Sequence, residues 1–500
     1  MEHRQIEAPT SSSVHDKRRL AAASSMLPEL WEVVPAWPSV GGGRRVIVLG
    51  GGISGLCAAW ALRAAGFKPT VLERTERTGG RFYTLRNHFG NQYAELGATR
   101  IADTHVLTLA YARHFNLEIL EYPLDATKLF QVLGHRFLST SREKGHYPAE
   151  LGLSPEERQL DGQSLNMSLV AKLFGDIGDP RHADWPPPSS RRGLAGQTFY
   201  KSLDRVGASH AAKEICRAYE GTEIEMFGAL AWAANQRLDA KWLHTYAIAG
   251  GNDRLTTAFA DLLGDCIVKG AQVHKVVSDQ DRVSVTYERH GQVETIEGDY
   301  VVCAVPHRIL LEIAFDPPLS YAKQSAAEEL PMFDVTRLNF QFSRRFWQDE
   351  GIHGMLVACT TSPIERLWDL TSLQSGSQGI LTAYVQDENA RALDKLPTAA
   401  ARIDRGLDIM DSIFPQARQY FEKGLSFSWH HQPWTRGAWP AFRPDQTDLI
   451  AALQRAEGRV RFAGDHTGLY TGWAQGALES AHFAVAEIIA ATRESARAAL

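Results

Sequence analysis

The sequence predicts an α/β fold, and three observations carry that expectation. Residues Arg44 to Glu73 read RRVIVLGGGISGLCAAWALRAAGFKPTVLE: an apolar strand, a glycine-rich turn, a helix and a second strand ending in a carboxylate. From Cys266 to Pro306, β-rich runs alternate with polar turns and close on the apolar DYVVCAVP, which suits a return to the first sheet. The chain finishes on a strand, RVRFAG, a turn, and a long helix from about Gly476.

Each part of the first unit follows from its residue types. Val46 to Leu49 form an apolar, β-branched run that suits a strand covered on both faces. Gly50, Gly52 and Gly55 make G-x-G-x-x-G, where missing Cβ atoms let the backbone turn sharply and approach a pyrophosphate. Ser54 to Ala65 favours helix, with Gly66 just past its end, so the first amides point at the bound anion. Ile53 and Ser54 at the helix start, and Arg74 just beyond Glu73, are expected to face the cofactor. Glu73 lies at roughly the 20-residue spacing of an acid that hydrogen-bonds a ribose diol, and it would repel a 2′-phosphate. Together these features predict a Rossmann-type dinucleotide site.

Composition agrees with a large enzyme. At 500 residues and 44% hydrophobic composition the chain can bury sizeable cores. A net charge of -5 offers no basic surface for nucleic acid and no polybasic membrane patch. Cys57, Cys216, Cys266, Cys303 and Cys359 are scattered and never spaced C-x-x-C, so they read as reduced core thiols in a reducing, cytoplasmic setting. No apolar run reaches the roughly 18 residues of a membrane span. The basic His15 to Arg19 and the following LAAASSML mimic a secretory signal, but that stretch is short, diluted with serine and stopped by Pro28 and Glu29. There is no repeat at solenoid periods, no H-E-x-x-H and no G-x-S-x-G. Adjacent His430 and His431 would point to opposite sides of a strand, so no metal centre is expected.

Residues 1–43 read as a polar tail, an amphipathic segment LPELWEVV expected to dock on the body, and a Pro/Gly linker. After Glu150, NMSLVAKLFGDI and AAKEICRAYEG favour helix, whereas DWPPPSSRR is not expected to be helical through Pro186, Pro187 and Pro188. Residues 150–235 therefore form a helical insertion, with the loop near Pro187 a candidate lid.

Four more segments follow in order: ERTGGRFYT, AELGATRI, GGNDRL and RFAGDHTGLYTGWAQGALESA. With the first unit they resemble the flavin-dependent amine oxidase family, especially its L-amino acid oxidase branch, from Arg44 to about Ile489. The resemblance implies a Rossmann-type FAD-binding domain, a mixed-sheet substrate domain and the helical insertion. FAD-binding segments fall at 44–105, 236–318 and 445–500, the last with the C-terminal helix, and substrate-domain segments at 106–149 and 319–444. Ala438 stands where covalently flavinylated relatives carry a cysteine, which implies non-covalent FAD.

The resemblance also assigns roles. Gly79, Gly80 and Arg81 match a G-G-R turn whose arginine serves the cofactor's phosphate and ring region. Gly464 and Asp465 match a turn whose acid contacts the ribityl chain, ahead of a helix aimed at the flavin's pyrimidine edge. Val273 matches a strand beside the adenine. Gly97, Ala98, Thr99 and Arg100 match the segment whose arginine holds the substrate carboxylate, and Tyr384 in GILTAYVQDENA resembles the tyrosine that shares it. Gly472 and Trp473 match an aromatic wall beside the flavin, with Trp439 as its partner. His466, beside Asp465, is expected to be structural.

The implied activity is oxidation of an L-amino acid: hydride transfer from Cα to flavin N5 gives an imino acid, which hydrolyses to a 2-oxo acid and ammonia while oxygen is reduced to hydrogen peroxide. The expected partners are the amino acid, oxygen and a second copy of the chain in a homodimer. One position departs from the family. TRLNFQFSRRFW carries Arg337 where a lysine, water-bridged to flavin N5, is usual, and arginine stays charged and forked where lysine can lose its proton. The alternatives are a same-fold monooxygenase giving an amide and a non-catalytic FAD-stabilised scaffold.

Overall fold

The computed structural model describes residues 34, 36–122, 128–139, 147–180, 185–238, 244–352, 355–359 and 363–498. The first strand, Arg45–Leu49, is central in a five-stranded parallel sheet ordered Ile267–Lys269, Lys68–Glu73, Arg45–Leu49, Tyr300–Cys303, Val460–Phe462. Such a sheet needs both faces covered, and alternate side chains of its central strand enter different cores. Val46 and Val48 pack with the helix Ile53–Ala64 and with Leu478, Val485 and Ile488 of the C-terminal helix Ala474–Ala498. Ile47 and Leu49 pack with Val276, Val283 and Val285 of a four-stranded sheet on the other side. The DYVVCAVP run supplies Tyr300–Cys303, so it does return to the first sheet. The C-terminal helix starts at Ala474, two residues before the position read from sequence.

A seven-stranded mixed sheet is ordered Phe421–Ser428, Val335–Phe342, Gly379–Gln386, Arg366–Asp369, Met355–Cys359, Lys128–Val132, His135–Ser139. Its pairs are antiparallel except Met355–Cys359 with Lys128–Val132. The register sets Tyr384 opposite Arg337 on one neighbour and opposite Arg366 on the other, so these three side chains share a face.

Helices Gly162–Ile177, His210–Glu220 and Ala229–Leu238 form a further core around Leu165, Leu169, Ile215 and Ala233, which meets Phe130 and Val335 of the mixed sheet. Asp161 caps the first of these through the Gln163 and Ser164 amides, and Ser209 caps the second through the Ala212 amide. The expectation for the proline run needs correction: a helix, Pro188–Leu194, begins at the third proline. Proline suits a first helical position, where its missing N–H has no intrahelical partner to lose. The Trp185 indole just before it donates to the Ile177 carbonyl at 2.8 Å.

The LPELWEVV segment lies outside the described residues apart from Val34, which packs against the first core. Cys57, Cys216 and Cys303 are buried free thiols, and Cys266 is a half-buried one. Among the described residues no helix is long and apolar enough to cross a membrane.

Candidate active site

A cavity of about 500 Å³ opens beyond the carboxyl ends of the parallel strands, where open α/β sheets bind ligands, and continues to the mixed sheet. Every sequence-predicted site residue lines it except Gly55. Gly55 acts on packing instead, because a Cβ there would fall 2.0 Å from the Gly50 carbonyl oxygen. Gly50 has φ +97°, which only glycine adopts cheaply. A Cβ on Gly52 would meet nothing within 4 Å, so that face of the turn is open toward the cavity that Gly52 lines.

Glu73 ends its strand buried beside this turn. Its Oε2 accepts the Gly51 N–H at 2.7 Å, and its Oε1 accepts the Thr75 N–H and hydroxyl at 2.8 Å each. A carboxylate accepts about four hydrogen bonds, so capacity for a ribose hydroxyl remains. Open glycine backbone, helix N-terminus and acid thus fit a dinucleotide cofactor. Val273, on the strand Gln272–Ser278, and Arg74, whose guanidinium donates to the Pro433 carbonyl at 3.3 Å, lie on the same cavity wall.

Arg81 and Asp465, read from sequence as separate cofactor contacts, are joined. The guanidinium forks onto the carboxylate at 2.9 and 2.5 Å and also donates to the Ala438 carbonyl at 3.0 Å. Burial pushes the Asp465 carboxyl up, but Arg81 and the Gly472 N–H at 3.0 Å outweigh it, and the pKa ends below the usual range. His466 next to it is buried and pushed down to about 4 by burial, so it stays neutral. Among the described residues no cysteine lines the cavity.

At the other end, the Arg100 guanidinium carbon lies 4.5 Å from the Trp368 ring centroid and 5.4 Å from that of Trp473. Tyr384 accepts a hydrogen bond at 2.8 Å from the indole of Trp439, which stacks on Phe333 at 4.5 Å. Gly472 permits this wall, since a Cβ there would come within 3.3 Å of the Trp439 ring. Arg337 is buried, and its Nη1 donates to the Glu95 carbonyl at 2.9 Å. Gly97, two residues past the strand Gln92–Glu95, lets the chain pass Arg81, whose carbonyl oxygen would lie 1.8 Å from an added Cβ.

Several cavity residues carry no local sequence signal. Arg366 pairs with Glu223 at 2.8 Å and donates to the Glu220 carbonyl at 2.8 Å. Glu220 accepts from Asn166 at 2.5 Å, and burial pushes its carboxyl up to about 7. Lys128 donates to Gln163 at 2.5 Å, and burial pushes its ammonium down to about 8. Each belongs to an element whose place is set by pairing with distant segments.

Two expectations change. His430 and His431 do not point apart: the strand ends at Ser428, the pair sits in a turn, and both rings approach Asp394, with nitrogen-to-Oδ2 distances of 3.0 and 4.0 Å. The opposite-sides argument applies only to extended backbone. The three ligand atoms lie within 4.8 Å of one another, although Asp394 Oδ2 already accepts from the Thr336 hydroxyl at 2.7 Å and from that of Ser428. Pro187 packs on Gly178 and is not among the residues that line the cavity.

Residues 53–489 match the family described as flavin containing amine oxidoreductases. The chain is 29% identical over 461 residues to the Bacillus subtilis (strain 168) protein named "Putative L-amino-acid oxidase YobN", covering 87% of this chain and 93% of that one. It is 26% identical to the L-amino-acid oxidase of Vipera ammodytes ammodytes, covering 90% and 94%. In fold it is similar to putrescine oxidase bound to putrescine (TM-score 0.77, 22% identity, 90% of this chain and 99% of that one). It is likewise similar to cyclohexylamine oxidase from Brevibacterium oxydans IH-35A (TM-score 0.73, 21% identity, 91% and 100%). The glycine turn, the shared cavity and the family match lead to one conclusion: the chain belongs to the flavin containing amine oxidoreductases, as an oxidoreductase acting on CH–NH2 donors.

Proposed function

We propose that the chain is an L-amino acid oxidase carrying non-covalent FAD. The observation that supports this reading best is Arg100 and Tyr384 lining the same cavity as the glycine turn, because a guanidinium and a phenol together suit a carboxylate. When bound, FAD would supply a two-electron hydride acceptor that oxygen can reoxidise with release of hydrogen peroxide. Gly52 and the helix behind it would hold the pyrophosphate, Glu73 a ribose hydroxyl, and Asp465, fixed by Arg81, the ribityl chain. Arg100 and Tyr384 hold the α-carboxylate. Trp439 and Trp473 wall off water and orient the uncharged amine, and such positioning supplies much of the rate. The imino acid product then takes up water to give a 2-oxo acid and ammonia. The division into FAD-binding segments 44–105, 236–318 and 445–500 around the substrate segments belongs to the same reading.

Anaerobic titration with natural amino acids in both stereochemical forms tests it: L-forms bleach the flavin, and turnover in air releases 2-oxo acid and ammonia. A flavoprotein bleached by none of them would instead be a scaffold. Arg337 at the usual lysine position favours a second reading, a monooxygenase, for which the products would be an amide and carbon dioxide.

A further inference from the structure

Resting on that amino acid reading, we propose that the far end of the cavity is an anion subsite built on Lys128, and that the preferred substrates are dicarboxylic L-amino acids. Lys128 lies on the strand Lys128–Val132 and lines the same cavity as Arg100. Its ammonium donates to Gln163 Oε1 at 2.5 Å and lies 4.8 Å from the Tyr219 ring centroid. An ammonium has three donors, and one amide oxygen and one aromatic face leave the charge without an anionic partner among the described residues. Lys128 is half-buried, and a charge drawn out of bulk water is ordinarily paired, so a cation of this kind lining a substrate cavity suits an anion that arrives with the ligand.

The neighbouring carboxylates are committed elsewhere. Asp161 accepts the amides of Gln163 and Ser164 and the Ser164 hydroxyl as a helix cap. Glu223 is paired with Arg366. Glu220 accepts from Asn166 and, at 3.3 Å, from Gln236. Burial lowers the Lys128 pKa, with Arg100 adding to the effect and Asp161 opposing it, so a second substrate carboxylate would relieve an unfavourable charge. Arg100 takes the α-carboxylate, and Lys128 the one on the side chain. A cationic side chain would have to turn to Glu220, which makes the basic amino acids the informative competitors.

The test uses the flavin-loaded full-length protein. L-glutamate or L-aspartate should exceed L-glutamine, L-asparagine, L-lysine and L-leucine in kcat/KM by roughly tenfold or more. In Lys128→Met the acid-over-amide ratio should collapse toward one, while Lys128→Arg should keep most of it. Binding gives an independent readout that needs no variant: glutarate should perturb the flavin absorbance at about tenfold lower concentration than valerate. A wild-type preference for L-lysine or for apolar amino acids, or equal binding of glutarate and valerate, would overturn the anion subsite and leave the L-amino acid reading standing. Bleaching by no amino acid would overturn both.

Discussion

Arg337 and Tyr384 face each other across paired antiparallel strands, the guanidinium carbon 5.2 Å from the phenol ring centroid. Arg337 Nη1 is held by the Glu95 carbonyl, while its Nε is buried without a hydrogen-bond partner. Burial lowers the Arg337 pKa and Tyr384 and Glu95 oppose it, yet a guanidinium keeps its charge. A fixed buried cation is a means of stabilising developing negative charge. Arg337→Met should therefore slow reoxidation of the reduced flavin by oxygen about 10²-fold, with anaerobic reduction by substrate changed by less than about tenfold. Stopped-flow measurement of the two half-reactions separates these, and equal slowing of both would refute a role toward oxygen.

Gly52 and Gly55 make opposite predictions although they belong to one motif. Gly52→Ala meets no protein atom, so the flavin-free protein should melt within about 1 kcal/mol of wild type, while flavin retention drops because the methyl occupies the pyrophosphate's approach. Gly55→Ala drives its Cβ into the Gly50 carbonyl and should lower the melting temperature of the flavin-free protein itself. Thermal melts paired with flavin absorbance after desalting decide both. Full flavin retention in Gly52→Ala would contradict the assignment of that turn.

Arg100→Ala should raise KM for amino acids by about 10²-fold or more, since two charge-assisted hydrogen bonds of roughly 1.5–3 kcal/mol each are lost. Tyr384→Phe should be milder, about tenfold, and part of its cost is the Trp439 indole left without its acceptor. Steady-state kinetics on amino acids and on the corresponding decarboxylated amines make the comparison. If Arg100→Ala weakens both substrate classes equally, Arg100 does not hold a carboxylate.

Glu95 links the site to pH-dependent stability. Burial pushes its carboxyl from 4.5 up to about 8, against hydrogen bonds from the Asn252 N–H at 2.7 Å and the Thr84 hydroxyl at 2.8 Å. Between those two values the folded chain holds a proton that the unfolded chain has released, so stability falls as pH rises through that window. The contribution is full below 4.5 and lost by about 8. Glu95→Gln should flatten the decline by an amount on the order of a few kcal/mol. Denaturant melts across that range measure it, and an unchanged slope would assign the decline to other groups.

The glycine-turn end of the cavity could be read from consecutive residues, because a strand, a glycine turn, a helix and an acid within one βαβ unit depend on local backbone chemistry. The parallel sheet and the final helix were legible for the same reason, with element ends misplaced by a residue or two. Resemblance supplied Arg100, Tyr384 and Trp473 as residues, but not their arrangement. That Arg81 forks onto Asp465 depends on segments far apart in the chain meeting at the Ala438 carbonyl. Lys128 and Glu220 carry no pattern at all: one was aimed into the cavity by pairing of its strand with Met355–Cys359, the other by packing of its helix on the sheet. The His430–His431 pair misled because a strand was assumed where the backbone had already turned. Residue type and spacing specify where a chain bends and which face it buries. Which charges end up sharing a cavity is set by strand register and helix packing, interactions whose partners no local window contains.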